Sequence, residues 1–261
     1  MKNKLLLMAA ACGLMMSCSS SDESNGTTNT DFLPLTTGNY WVYDVSGSQN
    51  LAGRDSLYIE KDTIINAKTY SKFKTEVTPT GFFSTTLNGN AVRKENGKLY
   101  LTGSAGLNFG NALPVNLDVT DFVVLDENAS PNQQLGVLNG SLSQDFQGIP
   151  LTITYNLKAT AGENLASYST PNGTAYNNVK KVVTVLNLSI NATFGGFPIA
   201  ILPTQDVVTS TQYYAEGIGM VYASTNITYT LNDLSLLQIQ LPIPQSDSQN
   251  QKEELDNYNI L

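Results

Sequence analysis

Side chains able to do acid–base, nucleophilic or metal chemistry are scarce in this chain, and the scarcity narrows its function. None of the 261 residues is a histidine. That removes His-based triads, His-ligated zinc or haem, and imidazole pH switching. Carboxylates are the only acid–base groups present in number. Asp118, Asp121, Asp126 and Glu127 lie close together in sequence, and Glu216 follows Tyr213 and Tyr214. Two such groups facing each other ~5 Å or ~6.5–9.5 Å apart could hydrolyse a glycosidic bond. The same acids could seat calcium, but no calcium-loop spacing accompanies them. Solvated loop acids that keep the chain soluble are the plainer reading.

Ser71-Lys72-Phe73-Lys74 has the S-x-x-K spacing, which activates a serine at the start of a helix, where residues three apart share a face. On a strand the two point to opposite faces, so Lys74 is not expected to serve Ser71. Gly217-Ile218-Gly219 lacks the third glycine and the βαβ setting of a dinucleotide site. No catalytic, cofactor-binding or metal-ligating residue is therefore assigned, and no cofactor is expected.

The elements that would position any site read as strands. From Leu151 to Thr160, apolar Leu151, Ile153, Tyr155, Leu157 and Ala159 alternate with polar neighbours, the period of a half-buried strand. Ile227, Tyr229 and Leu231 repeat the pattern, as do Leu186, Leu188, Ile190 and Ala192. Asn88-Gly89, Asn96-Gly97, Asn139-Gly140 and Asn172-Gly173 offer the positive φ of tight hairpins. No stretch of twelve or more residues carries a capped 3.6-residue period, and the abundance of threonine and asparagine favours strand faces and turns. The expected fold is all-β: a curved antiparallel sheet, half-barrel or open barrel, with little helix. Gly103 to Asn116 and Asp126 to Gln134 break the strand rhythm. The chain carries 14 basic and 22 acidic residues, a net charge of −8. With Arg54 and Arg93 as its arginines, it is a poor nucleic-acid binder.

The start of the chain addresses a membrane. Lys2 and Lys4 precede the apolar stretch Leu5 to Met16, too short for a ~30 Å hydrocarbon core and of signal-peptide length. Leu14-Met15-Met16-Ser17-Cys18 resembles the lipobox of bacterial lipoproteins. Cys12 competes, but leaves an apolar region of only about seven residues. Cys18 is then the one thiol left after cleavage, placed where acyl chains would be attached. The following Ser19-Ser20-Ser21-Asp22-Glu23 resembles the acidic surface-export signal of Bacteroidota lipoproteins, which assigns that role to Asp22 and Glu23. The expected organisation is a signal peptide over 1–17, a flexible acidic tether over 18–31, one all-β domain over 32–243 and a polar tail over 244–261. A weak echo between Lys68–Lys74 and Thr174–Lys180 allows two related halves in the domain.

Three further motifs point to a family. Leu33-Pro34-Leu35-Thr36-Thr37-Gly38-Asn39-Tyr40-Trp41-Val42-Tyr43 is similar to the opening of many secreted Bacteroidota proteins. The hairpin Arg93 to Tyr100 is similar to their middle segment, and Tyr213-Tyr214-Ala215-Glu216-Gly217-Ile218-Gly219-Met220-Val221 to their closing hairpin. On these residues the chain resembles the TapB-like group of lipoproteins, which implies a curved antiparallel sheet or half-barrel and carries over no catalytic residue. Asp55-Ser56-Leu57 and Asp62-Thr63-Ile64 resemble Bacteroidota O-glycosylation acceptors, which marks Ser56 and Thr63. The expected function is a non-enzymatic lipoprotein, anchored by its lipid to the outer membrane and exposed at the cell surface. Its β domain would bind an apolar or amphipathic ligand, or a protein partner. A glycan-binding accessory lipoprotein is the second reading, and a carboxylate-based hydrolase the third.

Overall fold

Period-two patterning becomes twelve strands of one antiparallel sheet in a computed structural model, which describes residues 30–109, 113–194, 196–235 and 243–261. Cys18, Asp22 and Glu23 lie outside the described residues. The strands are β1 (Tyr40–Gly47), β2 (Ala52–Ile65), β3 (Lys68–Thr75), β4 (Ala91–Glu95), β5 (Lys98–Phe109) and β6 (Leu113–Asp126). They continue with β7 (Gln134–Phe146), β8 (Ile149–Ser169), β9 (Ala175–Phe194), β10 (Phe197–Ala215), β11 (Gly219–Thr230) and β12 (Ser246–Asn259). A short helix, α1 (Phe82–Leu87), stands between β3 and β4.

The sheet order is β6-β5-β4-β3-β2-β1-β12-β11-β10-β9-β8-β7, and it curls into a nearly closed barrel with a seam between β6 and β7. At that seam the backbone is tight: a Cβ on Gly136 would stand 2.7 Å from the Val123 carbonyl oxygen. The barrel interior holds two buried clusters. One surrounds Trp41, Tyr43, Leu57, Phe73 and Val221, and the other surrounds Val115, Leu117, Ile153, Leu188 and Leu202. The first draws inward side chains from all around the barrel and the second from β5 to β11, as in small barrels.

Three expectations need correction. The stretch 244–261 is not a solvated tail. Ser246–Asn259 forms β12, paired with β1 on one side and β11 on the other. Asn139-Gly140 is not a turn but lies inside β7, where Gly140 leaves room for the Tyr155 ring across the ladder. The turn between β7 and β8 is instead made by Gln147 and Gly148, both at positive φ. Within Gly103 to Asn116, Gly103–Phe109 and Leu113–Asn116 pair as parts of β5 and β6 and are not a break in the strands. Glycine serves there because a Cβ on Gly103 would meet the Asn90 Oδ1 at 2.0 Å.

The opening and closing motifs, about 180 residues apart in sequence, meet in space. The Trp41 indole N–H donates to the Ile218 carbonyl at 2.6 Å, and the Tyr43 hydroxyl donates to the Met220 carbonyl at 3.1 Å. Gly219, at φ +122°, lies under the indole, where a Cβ would come within 2.8 Å of Nε1. These landmarks therefore hold the first strand against the β10–β11 hairpin, which is structural work.

Candidate functional site

Helix α1 lies inside the barrel and is held there by two buried carboxylates. With six residues it has no stable existence alone, and no side chain of its own segment caps its first turn. Strands β2 and β12 supply the acceptors. Asp55 takes the Thr80 amide at 2.9 Å and the Gly81 amide at 2.8 Å. Glu253 takes the Phe83 amide at 2.6 Å and the Ser84 amide at 2.9 Å. Both acids are 1 % exposed. Burial pushes the Glu253 carboxyl up to about 7, opposed by the amides it accepts and reinforced by the nearby charge of Asp55. Phe83 anchors the helix further, edge-on to Tyr43 and Tyr214.

On one flank of α1 the barrel leaves a cavity of about 90 Å³. Its walls are mostly apolar, with Leu101, Val115, Leu117, Val119, Leu157 and Leu186 prominent. Polar groups are few: Thr86, Thr184 and Gln212. Gln212 is fixed in a buried chain of hydrogen bonds. Its Nε2 donates to Ser210 Oγ at 3.0 Å, Ser210 pairs with Thr225 Oγ1 at 2.8 Å, and the Tyr214 hydroxyl donates to Gln212 Oε1 at 3.4 Å. An apolar chamber with a few oriented polar groups is the usual build of a small-molecule site.

A second chamber, of about 240 Å³, shares Phe82, Gly106 and Leu107 with the first. Its remaining lining is polar: Thr80, Thr85, Asp247, Gln249 and Gln251, together with Tyr229 and Ile227. Asp247, Gln249, Gln251 and Glu253 are successive inward residues of β12, so this strand presents a polar face beside Tyr229, Ile227, Thr225 and Ala223 of β11. Gln249 Nε2 donates to Asp247 Oδ2 at 2.8 Å. Gln251 Oε1 is buried with no hydrogen-bond partner among the described residues.

The sequence-marked acids have other occupations. Asp121, at φ +49° in the wall of β6, accepts from Arg93 Nε at 3.0 Å and Lys68 Nζ at 2.7 Å, and from the Tyr70 hydroxyl. Arg93 is 7 % exposed, lies 3.9 Å over the Tyr100 ring, and also reaches Glu95. The guanidinium holds the Asp121 carboxyl far below the usual carboxylate range. Asp126 accepts the Asn128 amide, Glu127 pairs with Lys94, and Glu216 accepts from Asn178. Asp118 is exposed across from Ser104. No group of three or more acidic or cysteine side chains able to hold a metal occurs among the described residues.

Ser71 donates to the Leu35 carbonyl at 2.9 Å, while Lys74 pairs with Glu60 at 2.5 Å, so the S-x-x-K residues have separate partners. Ser56 and Thr63 are half-buried residues in the middle and end of β2. Tyr168 and Tyr213 stack on each other with ring centroids 4.0 Å apart, and Tyr222 packs beside both.

Sequence reasoning missed Asp55, Glu253, Gln212 and α1. The signal that could have found the two acids is their placement. Asp55 precedes the apolar alternation of Leu57 and Ile59, and Glu253 precedes Leu255, each on the inward register. Compared with known protein families, with curated proteins and with solved structures, the chain matches none of them.

Proposed function

We propose that this protein is a non-enzymatic lipoprotein, anchored through Cys18 to the outer membrane and facing the cell exterior. Its barrel would bind an apolar or amphipathic small molecule beside α1. The observation that carries the binding role is the apolar cavity flanked by α1, which shares Phe82 and Leu107 with an adjoining polar chamber. A cavity of about 90 Å³ is smaller than the ~150 Å³ that admits benzene, so it suits the end of an alkyl chain, with Phe82 moving to admit more. The non-enzymatic reading draws support from the carboxylates beside α1: Asp55 and Glu253 each accept two backbone amides. The lipid anchor, the export role of Asp22 and Glu23 and the kinship with the TapB-like group are part of this proposal, supported by the sequence motifs.

The test is binding of Nile red, a neutral fluorophore that brightens in apolar surroundings, to the purified domain. Saturable brightening, lost in Leu117→Trp and Val208→Phe variants that fill the cavity, is the expected result. Undiminished binding in cavity-filled variants that remain folded would refute the location, and no saturable binding at all would refute the function.

A further inference from the structure

We infer that the outer chamber holds the polar head of the ligand, and that this head donates hydrogen bonds and carries no negative charge. The inference rests on the proposed binding role and names the class of ligand: an amphiphile with an ammonium or hydroxyl head, not a carboxylate or phosphate.

Three features of the chamber argue for it. First, the chamber holds a buried acceptor that lacks a donor. Gln251 Oε1 is a buried acceptor without a partner among the described residues, and such an oxygen is costly until a donor arrives. Second, Asp247 is the one charged residue lining the chamber, and it forms no ion pair among the described residues. An anionic head beside it would be repelled in surroundings that screen charge less than water does. A cationic head would be attracted, and a hydroxyl head could donate to either group. Third, Phe82, Gly106 and Leu107 line both the chamber and the apolar cavity. The two spaces therefore adjoin, so one ligand would place its tail in the first and its head in the second. The direction of the ligand follows: its chain end lies among Leu117, Val119 and Leu186, and its head lies against β12.

Competition with bound Nile red by four dodecyl amphiphiles, each below its micelle concentration, tests this. The four are dodecylammonium, monododecanoylglycerol, dodecanoate and dodecyl phosphate. We expect the first two to displace the probe at concentrations at least about tenfold lower than the last two. Equal or better displacement by dodecanoate or dodecyl phosphate would overturn the head-group inference and leave the cavity reading intact. Absence of Nile red binding together with no displacement by any of the four would overturn the cavity reading, and this inference with it. Placement is read from two variants. Asp247→Asn should weaken dodecylammonium by about fivefold or more and leave monododecanoylglycerol unchanged, whereas Gln251→Leu should weaken both. Unchanged affinities in both variants, with folding verified by Trp41 fluorescence, would overturn the placement.

Discussion

Replacing Glu253 by glutamine should remove most of the pH dependence of stability between pH 5 and 8. Glu253 is buried, and its carboxyl is pushed up from 4.5 to about 7. In that window the folded protein binds a proton that the unfolded chain has released. Stability must therefore fall as pH rises from about 4.5 through 7. A shift from 4.5 to about 7 corresponds to roughly 3 kcal/mol lost by pH 8, at 1.36 kcal/mol per unit. Glutamine keeps one acceptor oxygen for one of the amides of Phe83 and Ser84 and turns an NH₂ toward the other. At pH 5 the variant should be less stable by ~1–3 kcal/mol, the cost of one unpaired buried donor. At pH 8 the loss of the buried charge offsets that cost, and the two proteins should converge. Urea unfolding followed by the fluorescence of Trp41, the single tryptophan and fully buried, measures both curves. Parallel curves between pH 5 and 8 would refute the reasoning. They would mean that the amides hold Glu253 as an ordinary carboxylate despite its burial.

Three further outcomes are expected. Gly219→Ala should cost about 2–4 kcal/mol, because a φ of +122° strains an L-residue and the new Cβ meets the Trp41 indole at 2.8 Å; urea unfolding measures the loss. Asp121→Asn should flatten the acid limb of the stability curve. The Asp121 carboxyl is depressed by Arg93, so its contribution is present above about pH 4 and is lost as pH falls toward its folded value, a change visible in thermal melts between pH 2 and 5. Cys18→Ala should release the protein from the membrane pellet into the soluble fraction on cell fractionation, and continued membrane association would contradict lipidation there.

The β architecture was legible wherever a strand has one dry face and one wet face. Leu151 to Thr160 lies in β8 and Leu186 to Ala192 in β9, in the registers their alternation implies. It was not legible in β12, since a strand whose inward residues are Asp247, Gln249, Gln251 and Glu253 has no apolar row until Leu255. The same polarity that hid the strand is what makes it a wall of the candidate site. Helix α1 was hidden for a related reason. Six residues cannot show a helical period, and the acceptors that stabilise its first turn come from residues about 25 and 170 positions away. The Gly/Asn-rich stretch around Gly103 and Gly106 read as a break because close approach of Asn90 and Asn116 forbids side chains there. Among the acids between Asp118 and Glu127, Asp121 is a partner in an ion-pair cluster with Arg93 and not a solvated loop acid, because the residues it pairs with lie on other strands.

The place of β12 between β1 and β11 has a consequence for how the chain is made. Strands β1 to β6 form one meander and β7 to β11 another, and each pairs neighbour to neighbour as it is synthesised. No ladder joins the two meanders directly, and β6 and β7 meet only at the unpaired seam. The strand that joins them, Ser246–Asn259, leaves the ribosome after all the others. Until then both meanders present open edges and half-covered apolar faces, a state prone to misassociation. Barrel closure is thus a late, long-range event that pairs Tyr40 with Asn259, and topology of this kind folds slowly. The sheet stays open until β12 has been made, and each earlier strand must be kept from pairing elsewhere in the meantime.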